Sequence, residues 1–187
     1  PKQRWGIWRN QRRNAAFARY VRENYSQDQQ VLMAVATVDH ALHLWAELPE
    51  FTLCYSNSES VDWDGYKGSG LIPRSFQPIT QARRDEFRTA FEQGRLKKVI
   101  ATDVWSTGVD FVNLQVLCRL DARQSEILNS QWPGRVSRLA EGKAFGEVID
   151  SADFFDQSLN QKALVRRKHY KHHGWTQDWP QRRCGQV

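Results

Sequence analysis

The apolar residues of the chain form short continuous runs that alternate with longer stretches of helical spacing. Residues 31–36 are apolar throughout, which predicts a strand buried on both faces, as in a parallel sheet. Further strands are predicted at residues 51–55, 99–101, 114–120 and 144–150. We therefore expect a parallel sheet of five or six strands.

Helices are predicted between these strands. Residues 9–24 have an apolar stripe at helical spacing. Thr37 is placed to cap a second helix, which Pro49 would end, and a third would begin at Thr80 and end at Gly94. Two more helices are predicted at residues 124–139 and 152–173. Strand and helix thus alternate, which predicts an α/β domain with helices on both faces of the sheet.

The chain divides into three predicted segments. Residues 1–24 form a basic helical arm, residues 25–150 the α/β domain, and residues 151–187 a basic C-terminal helix and tail. The stretch at residues 56–78, rich in Ser, Gly, Pro and Asp, is longer than a compact domain usually tolerates. We expect it to be mobile or to pack Trp63 and Tyr66 onto the domain, without a catalytic role.

Charge is segregated along the chain, whose formal net charge is +6. Residues 1–24 and 162–187 each carry seven Lys or Arg against one acidic residue, whereas residues 25–161 hold thirteen basic and nineteen acidic residues. Basic ends with interleaved aromatics favour contact with a nucleic acid, although they could also merely keep the chain soluble. The aromatics concerned are Trp5, Trp8, Tyr170, Trp175 and Trp179.

Other features narrow the class of protein. No apolar run approaches the ~20 residues that span a bilayer, and the first residues lack the apolar core of a signal peptide. The chain begins without Met, so we expect it to be part of a longer protein. Cys54 and Cys118 lie in apolar strands and are expected to be buried free thiols, whereas Cys184 lies in a polar tail. These features favour a cytoplasmic protein, from a bacterial or phage-infected cell.

Two arginines near the C-terminal third suggest the chemistry. Arg135 and Arg138 lie three residues apart in the segment 131–138, and on a helical turn they would point the same way. Paired guanidinium groups suit the distributed charge of a phosphoryl group in transfer. However, the chain contains no G-x-x-x-x-G-K-[ST] phosphate-binding loop, since its only Gly-Lys pair is followed by Ala144. The sequence thus indicates one half of a nucleotide-hydrolysing site.

The order of these pieces resembles the C-terminal RecA-like domain of superfamily 2 helicases and translocases, over about residues 11–175. Arg13-Asn14 resembles the entry to that domain, and residues 31–44 with His40 resemble motif IV. Arg84 and the Phe91-x-x-Gly94 pattern follow before the next strand. Residues 99–110 resemble motif V, and residues 131–138 resemble motif VI.

The motif VI segment is most similar to that of a DNA-directed branch of the family. Its first residue is Gln131 rather than the His of DEAD-box proteins, which favours the branch of phage recombination and excision-repair helicases. Ser137 stands where the family usually has Gly, Pro133 lies within the motif, and the segment 56–78 is not part of the shared pattern. These departures bear on the substrate rather than on the fold.

The resemblance implies roles for the motif residues. Arg135 would contact the γ-phosphate of ATP and Arg138 the transition-state charge, with Gln131 as a further catalytic residue. Gly108, Asp110 and Gly134 would bind the nucleotide. ATP and Mg²⁺ would be held mainly by an N-terminal RecA-like domain of the same protein, which carries the phosphate-binding loop. The chain would then be the second motor domain of an ATP-dependent helicase, inactive by itself.

A second set of residues is expected to contact DNA, with RNA as an open alternative. Thr102 would donate a hydrogen bond to a phosphate. Arg83 and Arg84 could contact phosphates or form a solvated charged face with the acidic residues that follow them. The C-terminal helix adds three cations, Arg166, Arg167 and Lys168.

Two smaller features have competing interpretations. Trp105 could stack on a base, but packing within the domain is favoured. The histidines at 169, 172 and 173 with Cys184 suggest zinc, but their spacing fits no closed four-ligand site, so we predict no metal. The main alternative to the motor function is a stand-alone nucleic-acid-binding or regulatory module without ATPase activity. A phosphate-binding loop upstream in the reading frame would distinguish the two.

Overall fold

The computed structural model describes residues 2–56, 61–105, 111–123, 136, 143 and 146–177. Five strands form one sheet in the order β2-β3-β1-β4-β5. All four strand pairings are parallel. The strands are β1 (Val31–Ala34), β2 (Thr52–Cys54), β3 (Lys98–Ala101), β4 (Val116–Arg119) and β5 (Glu147–Asp150). The predicted α/β class with an all-parallel sheet is confirmed.

Helices cover both faces of this sheet. They are α1 (Gln11–Asn24), α2 (Val38–Glu47), α3 (Trp63–Gly68), α4 (Gln81–Glu92) and α5 (Gln157–His172), with a π-helix at Arg4–Trp8 and a 3₁₀ turn at Asp103–Trp105. Each α-helix begins after a polar residue whose side chain accepts a hydrogen bond from a backbone N–H of the first turn. These caps are Asn10, Thr37, Asp62, Thr80 and Asp156.

Alternating residues of each strand divide the core into two clusters. In β1, Val31 and Met33 pack with α1 and α2, while Leu32 packs on the other face with Phe91 of α4. Side chains alternate in direction along a strand, so a strand covered on both faces must be apolar at every position. This explains why the strands appear in the sequence as continuous apolar runs.

Three of the described strands, β1, β2 and β4, are shorter than the runs that predicted them. β1 ends at Ala34 although the run continues to residue 36, and β2 and β4 likewise lose residues at both ends. Beyond these limits the chain leaves the ladder to begin a helix or turn, but its side chains remain buried. Apolar runs therefore report burial, and they overestimate the length of strand pairing.

The segment expected to be irregular, residues 56–78, contains a helix. α3 is N-capped by Asp62, whose side chain accepts a hydrogen bond from the Gly65 N–H at 2.9 Å. Trp63 stacks on Phe76 with 5.6 Å between ring centroids. The expected packing of Trp63 and Tyr66 onto the domain is confirmed for the described residues. The helix was missed because two glycines in six residues obscure its pattern.

The basic segments at the two ends pack onto the domain. Ile7, Ala18 and Val21 are buried, and Ala18 and Val21 belong to the same core cluster as β1. The terminal helix expected at residues 152–173 is Gln157–His172, and its Leu159 packs with Ile7. The inner faces of both basic segments are therefore structural.

The carboxylate of Asp39, in the first turn of α2, joins three separate parts of the chain. Arg9 Nε donates to both carboxylate oxygens, at 2.9 and 3.1 Å, and the Tyr66 hydroxyl donates to one of them at 2.6 Å. Arg4 Nε lies 3.6 Å from the same group. Burial raises the pKa of Asp39, but the hydrogen bonds from Arg9 and Tyr66 outweigh it and hold the pKa below its usual value.

Two predictions about buried side chains, for the cysteines and for Trp105, are confirmed. Cys54 and Cys118 are buried free thiols, as predicted, and burial raises the pKa of Cys54 to about 12. Trp105 is also buried, 5.3 Å from Phe91 and from Phe111 between ring centroids, so the packing interpretation is confirmed. None of the helices in the described ranges is long and apolar enough to cross a bilayer.

His40 should make the stability of the fold depend on pH. It is fully buried, and neither ring nitrogen has a hydrogen-bond partner among the described residues. Burial, followed by the nearby Arg13 charge, lowers the pKa of His40 to about 3. Between about pH 6.5, the pKa of an unfolded histidine, and pH 3, only the unfolded chain binds this proton, so stability falls with falling pH.

We therefore expect His40→Leu to flatten this dependence. When the pH is lowered from 7 to 5, the free energy of unfolding of the parent should fall by about 2 kcal/mol more than that of the variant. The difference accumulates at ~1.4 kcal/mol per pH unit below pH 6.5. Urea unfolding at pH 7, 6 and 5 measures it. His172→Gln, at the exposed end of α5, is the control and should keep the parental slope. Parallel pH profiles for His40→Leu and the parent would contradict the expectation.

Candidate functional site

A cleft of about 440 Å³ opens at the carboxyl edge of the sheet. Its walls come from segments that follow three strands, together with the N-terminal π-helix and α3. The lining residues include Arg4, Trp8, Thr37, Asp39, Ser56, Tyr66, Thr102 and Asp103. In open parallel sheets, ligands bind in such crevices outside the carboxyl ends of the strands.

Sheet topology explains why these residues meet. β3 lies between β2 and β1, so the chain leaves all three strands side by side at one edge. Thr37 begins α2 just after β1, Ser56 follows β2, and Thr102 follows β3. Residues far apart in sequence are thereby brought to one surface.

Thr102 offers an unused hydrogen-bond donor in this cleft. Its residue is 6% exposed, and its hydroxyl has no partner among the described residues. A buried hydroxyl without a partner is costly, and a ligand oxygen would remove that cost. The position therefore suits the phosphate contact predicted for Thr102.

The carboxylates at the cleft are each paired with an arginine. Asp39 is held by Arg9, and Asp103 forms an ion pair with Arg123. Arg4 adds a third guanidinium, with 52% of its side chain exposed. With the two pairing arginines counted, three guanidinium groups lie at or beside the cleft against two carboxylates, and the exposed Arg4 suits an anionic ligand.

The ion pair between Arg123 and Asp103 also links the motif V segment to the part of the chain that precedes motif VI. Asp103 lies just before the motif V residues Gly108 and Asp110, and Arg123 precedes the segment with motif VI. Arg123 Nη2 also donates to the Ala36 carbonyl at 3.0 Å. These contacts therefore bring Asp103 of the motif V segment and Arg123 together at the carboxyl end of β1.

A buried valine within motif VI gives a second anchor. Val136, between Arg135 and Ser137, belongs to the same core cluster as Trp105, within motif V, and Phe111, just after it. A Cβ added to Gly146 would lie 2.0 Å from the Val136 carbonyl oxygen, so this approach requires glycine. One described residue of each motif segment, Val136 and Trp105, therefore lies in this core cluster.

Six of the predicted site residues lie outside the described residues. They are Gln131, Gly134, Arg135 and Arg138 of motif VI, and Gly108 and Asp110 of motif V. Their predicted roles stay predictions, and the two anchors above describe only the chain on either side of them.

The paired arginines of α4 have different surroundings. Arg84 Nη1 donates to the Tyr55 carbonyl at 3.2 Å, next to the end of β2. Arg83 lies on the outside, where Nη1 donates to Glu86 at 2.7 Å and the guanidinium lies 4.8 Å from the Phe87 ring centroid. Arg84 therefore positions α4 against β2, and only Arg83 has its charged group on the exterior.

The inclusion of Arg166 among the nucleic-acid contacts is corrected by its position. It is 1% exposed, and its guanidinium forms two hydrogen bonds to Asp150, at 2.7 and 2.9 Å. Tyr170 donates to the same carboxylate at 2.8 Å. A guanidinium enclosed in this way connects α5 to β5 and cannot reach a phosphate at the surface.

Arg167 and Lys168 lie instead along a shallow groove of about 310 Å³ beside α5. Arg167 Nε donates to Gln177 at 3.3 Å. This groove and the cleft share no lining residue. The two sets of predicted nucleic-acid contacts are therefore not one continuous site among the described residues.

The histidines of α5 form an aromatic stack. The His169 and His173 rings lie 4.5 Å apart between centroids, and His173 stacks on Trp175 at 5.5 Å. Within the described residues, no group of three His, Cys, Asp or Glu side chains is placed to hold a metal ion. Cys184 lies outside these residues.

Sequence reasoning missed four residues that shape the cleft: Arg4, Arg9, Asp39 and Arg123. Each forms a contact with a residue at least twenty positions away in sequence. The surplus of arginine near the N terminus beside an acidic domain was the available signal. It was interpreted only as an external charge.

Comparison with known proteins agrees with this architecture. A sequence profile of the helicase conserved C-terminal domain matches residues 13–140. The structure is similar to that of the C-terminal domain of the DEAD-box protein Dbp5, with a TM-score of 0.60, 14% identity, and coverage of 89% of this chain and 83% of that one. No curated protein sequence matches the chain.

A longer structure, S. cerevisiae Dbp5 bound to RNA and ADP BeF3, is also similar. Its TM-score is 0.58 at 16% identity, and the match covers 88% of this chain but 38% of that one. At such identities the likeness concerns the fold, while the profile match over residues 13–140 establishes the family. The chain belongs to the helicase conserved C-terminal domain family.

Proposed function

We propose that this chain is the second motor domain of an ATP-dependent DNA helicase or translocase. The observation that carries the proposal is the burial of Val136, from the motif VI segment, in the same core cluster as Trp105, from the motif V segment. The cleft at the carboxyl edge of the sheet contains Thr102 of the motif V segment, and we infer that the nucleotide-facing surface lies beside it.

The nucleotide-facing surface is completed by another domain. Arg135 and Arg138 would contact ATP there, and Gly108, Asp110 and Gly134 would contribute to binding it. ATP with Mg²⁺ supplies the phosphoanhydride that is hydrolysed, and the partner RecA-like domain holds most of it. What this chain contributes is positive charge, preorganised where negative charge develops in the transition state.

The cleft serves the nucleic acid. A phosphate seated near Thr102 would accept a hydrogen bond from the free hydroxyl, and Arg4 would add charge at the rim. Such contacts position a strand without reading its sequence, which suits a motor that moves along any sequence. Motif VI begins with Gln131 rather than the His of DEAD-box proteins, and this resemblance to DNA-directed helicases favours DNA over RNA as the substrate. Affinities for DNA and RNA strands of the same sequence test that preference.

The first prediction concerns catalysis in the full-length protein. Arg135→Ala and Arg138→Ala should each lower kcat of DNA-stimulated ATP hydrolysis by at least ~10², with little change in nucleotide binding. Steady-state ATPase assays and titration with a fluorescent ATP analogue measure the two effects. Arg95→Ala removes an exposed arginine that contacts Gln93 near the opposite edge, and it should keep the parental kcat. A parental kcat in both motif variants would contradict the proposal, and would favour a binding module without ATPase activity.

The second prediction concerns the cleft, in the chain as it stands. Affinity for a labelled single strand should fall with salt, and Arg4→Gln should reduce the slope of log K against log[salt] by about 0.7, the loss of one phosphate contact. Fluorescence anisotropy at several salt concentrations measures it.

Arg22→Gln is the matched control for that experiment. The Arg22 side chain is 48% exposed and paired with Glu50, much as Arg4 is 52% exposed and near Asp39. It lies beside the C-terminal end of α2, about 15 Å of helix from the cleft. Equal slopes for the two variants would show that the cleft is not the binding surface.

A further inference from the structure

We propose that Trp5 is a stacking platform for a base of the single strand whose backbone crosses the cleft. The inference rests on the proposed function, because it assumes that a nucleic acid occupies the cleft. It adds a contact to a base, made by a residue outside every helicase motif identified in the sequence.

The position of Trp5 is the first argument. It follows Arg4, which lines the cleft, and Trp8, one turn further along the π-helix, lines the cleft as well. The side chain of Trp5 nevertheless lies outside, with 65% of the residue exposed. Trp5 thus presents a large exposed aromatic surface between two residues that line the cleft, and a stacked base would remove that surface from water.

The surroundings of the ring are the second argument. The Arg9 guanidinium lies 5.3 Å from the Trp5 ring centroid, and Arg9 is itself held by Asp39 at 2.9 Å. The cation thereby restricts the ring, which lowers the entropy that a stacked ligand would lose. Aromatic rings among arginines are typical of surfaces that bind single strands, since bases stack and phosphates pair with the cations.

The π-helix that carries Trp5 is fixed to the domain. Ile7 is fully buried, and the Phe155 ring lies so close to Gly6 that an added Cβ would be 2.5 Å from it. Just before the π-helix, Lys2 Nζ donates a hydrogen bond to the Asp156 carboxylate at 2.8 Å, next in sequence to Phe155. A platform held at both ends is more useful for binding than an aromatic on a free arm.

A pair of probes separates stacking from phosphate contact. One is a labelled oligothymidylate, and the other is a strand of equal length whose residues lack bases. Trp5→Ala should weaken binding of the first at least about fivefold and leave binding of the second unchanged. Trp5→Phe should restore most of the affinity, because stacking needs a ring and not an indole. Anisotropy titrations at one salt concentration measure each affinity.

Tyr20→Ala is the matched control, since Tyr20 is an aromatic 42% exposed near the opposite end of α1. It should bind both probes as the parent does. If Trp5→Ala leaves the affinity for oligothymidylate unchanged, or weakens binding of both probes equally, the stacking role is overturned. If the parent binds neither probe, the proposed nucleic-acid function itself fails, and the stacking role fails with it.

Discussion

The carboxylate of Asp39 is the contact on which the arrangement of the cleft depends. It lies in the first turn of α2, where the helix dipole favours negative charge, and accepts hydrogen bonds from Arg9 and Tyr66. The pKa of Tyr66 rises to about 12, through burial and through this contact. One carboxylate thus fixes the N-terminal segment and α3 against α2, and these elements form the walls of the cleft. Charge-assisted hydrogen bonds of this kind are stronger than neutral ones, and losing Arg9 would leave the Asp39 carboxylate with the Tyr66 hydroxyl and the more distant Arg4.

Many of the basic residues at the two ends of the sequence form ion pairs within the fold. Cations from the two basic ends pair with acidic residues elsewhere in the fold, as in Arg13 with Asp153, Arg22 with Glu50 and Arg166 with Asp150. The charge excess of the ends therefore exceeds the charge available to a ligand. Exposed cations remain at the cleft rim near Arg4, along the groove of α5, and on α1 at Arg12 and Arg19. The cleft and the groove both suit a polyanion, and in the cleft the Thr102 hydroxyl has no partner among the described residues.

The fold could be predicted from sequence because its strands are buried on both faces. The run at residues 31–36 and the caps Thr37 and Thr80 depend on local chemistry, and the structure has them where expected. Gly94 also ends its helix as predicted, with a φ of +71° that favours glycine. α3 was missed because its stability comes from the packing of Trp63 on Phe76, which lie thirteen residues apart. Long-range contacts leave no periodicity in the sequence.

The candidate site was predictable in part for the same reason. Motif residues have fixed spacings, so Thr102 could be located from its strand, and it does line the cleft. Whether an arginine is free or buried depends on its tertiary partner, and Arg166 was misassigned because Asp150 lies sixteen residues before it. The same limit hid Asp39 and Arg123.

Amide hydrogen exchange of the chain, with and without a single-stranded oligonucleotide, tests the central claim most directly. If a strand crosses the carboxyl edge of the sheet, exchange should slow at residues 2–9, 36–41 and 102–105, where the cleft is built. Residues 22–30 and 92–98, at the opposite edge, should exchange at the same rate in both samples. Protection confined to α5 and residues 173–177, with no change around the cleft, would contradict the account.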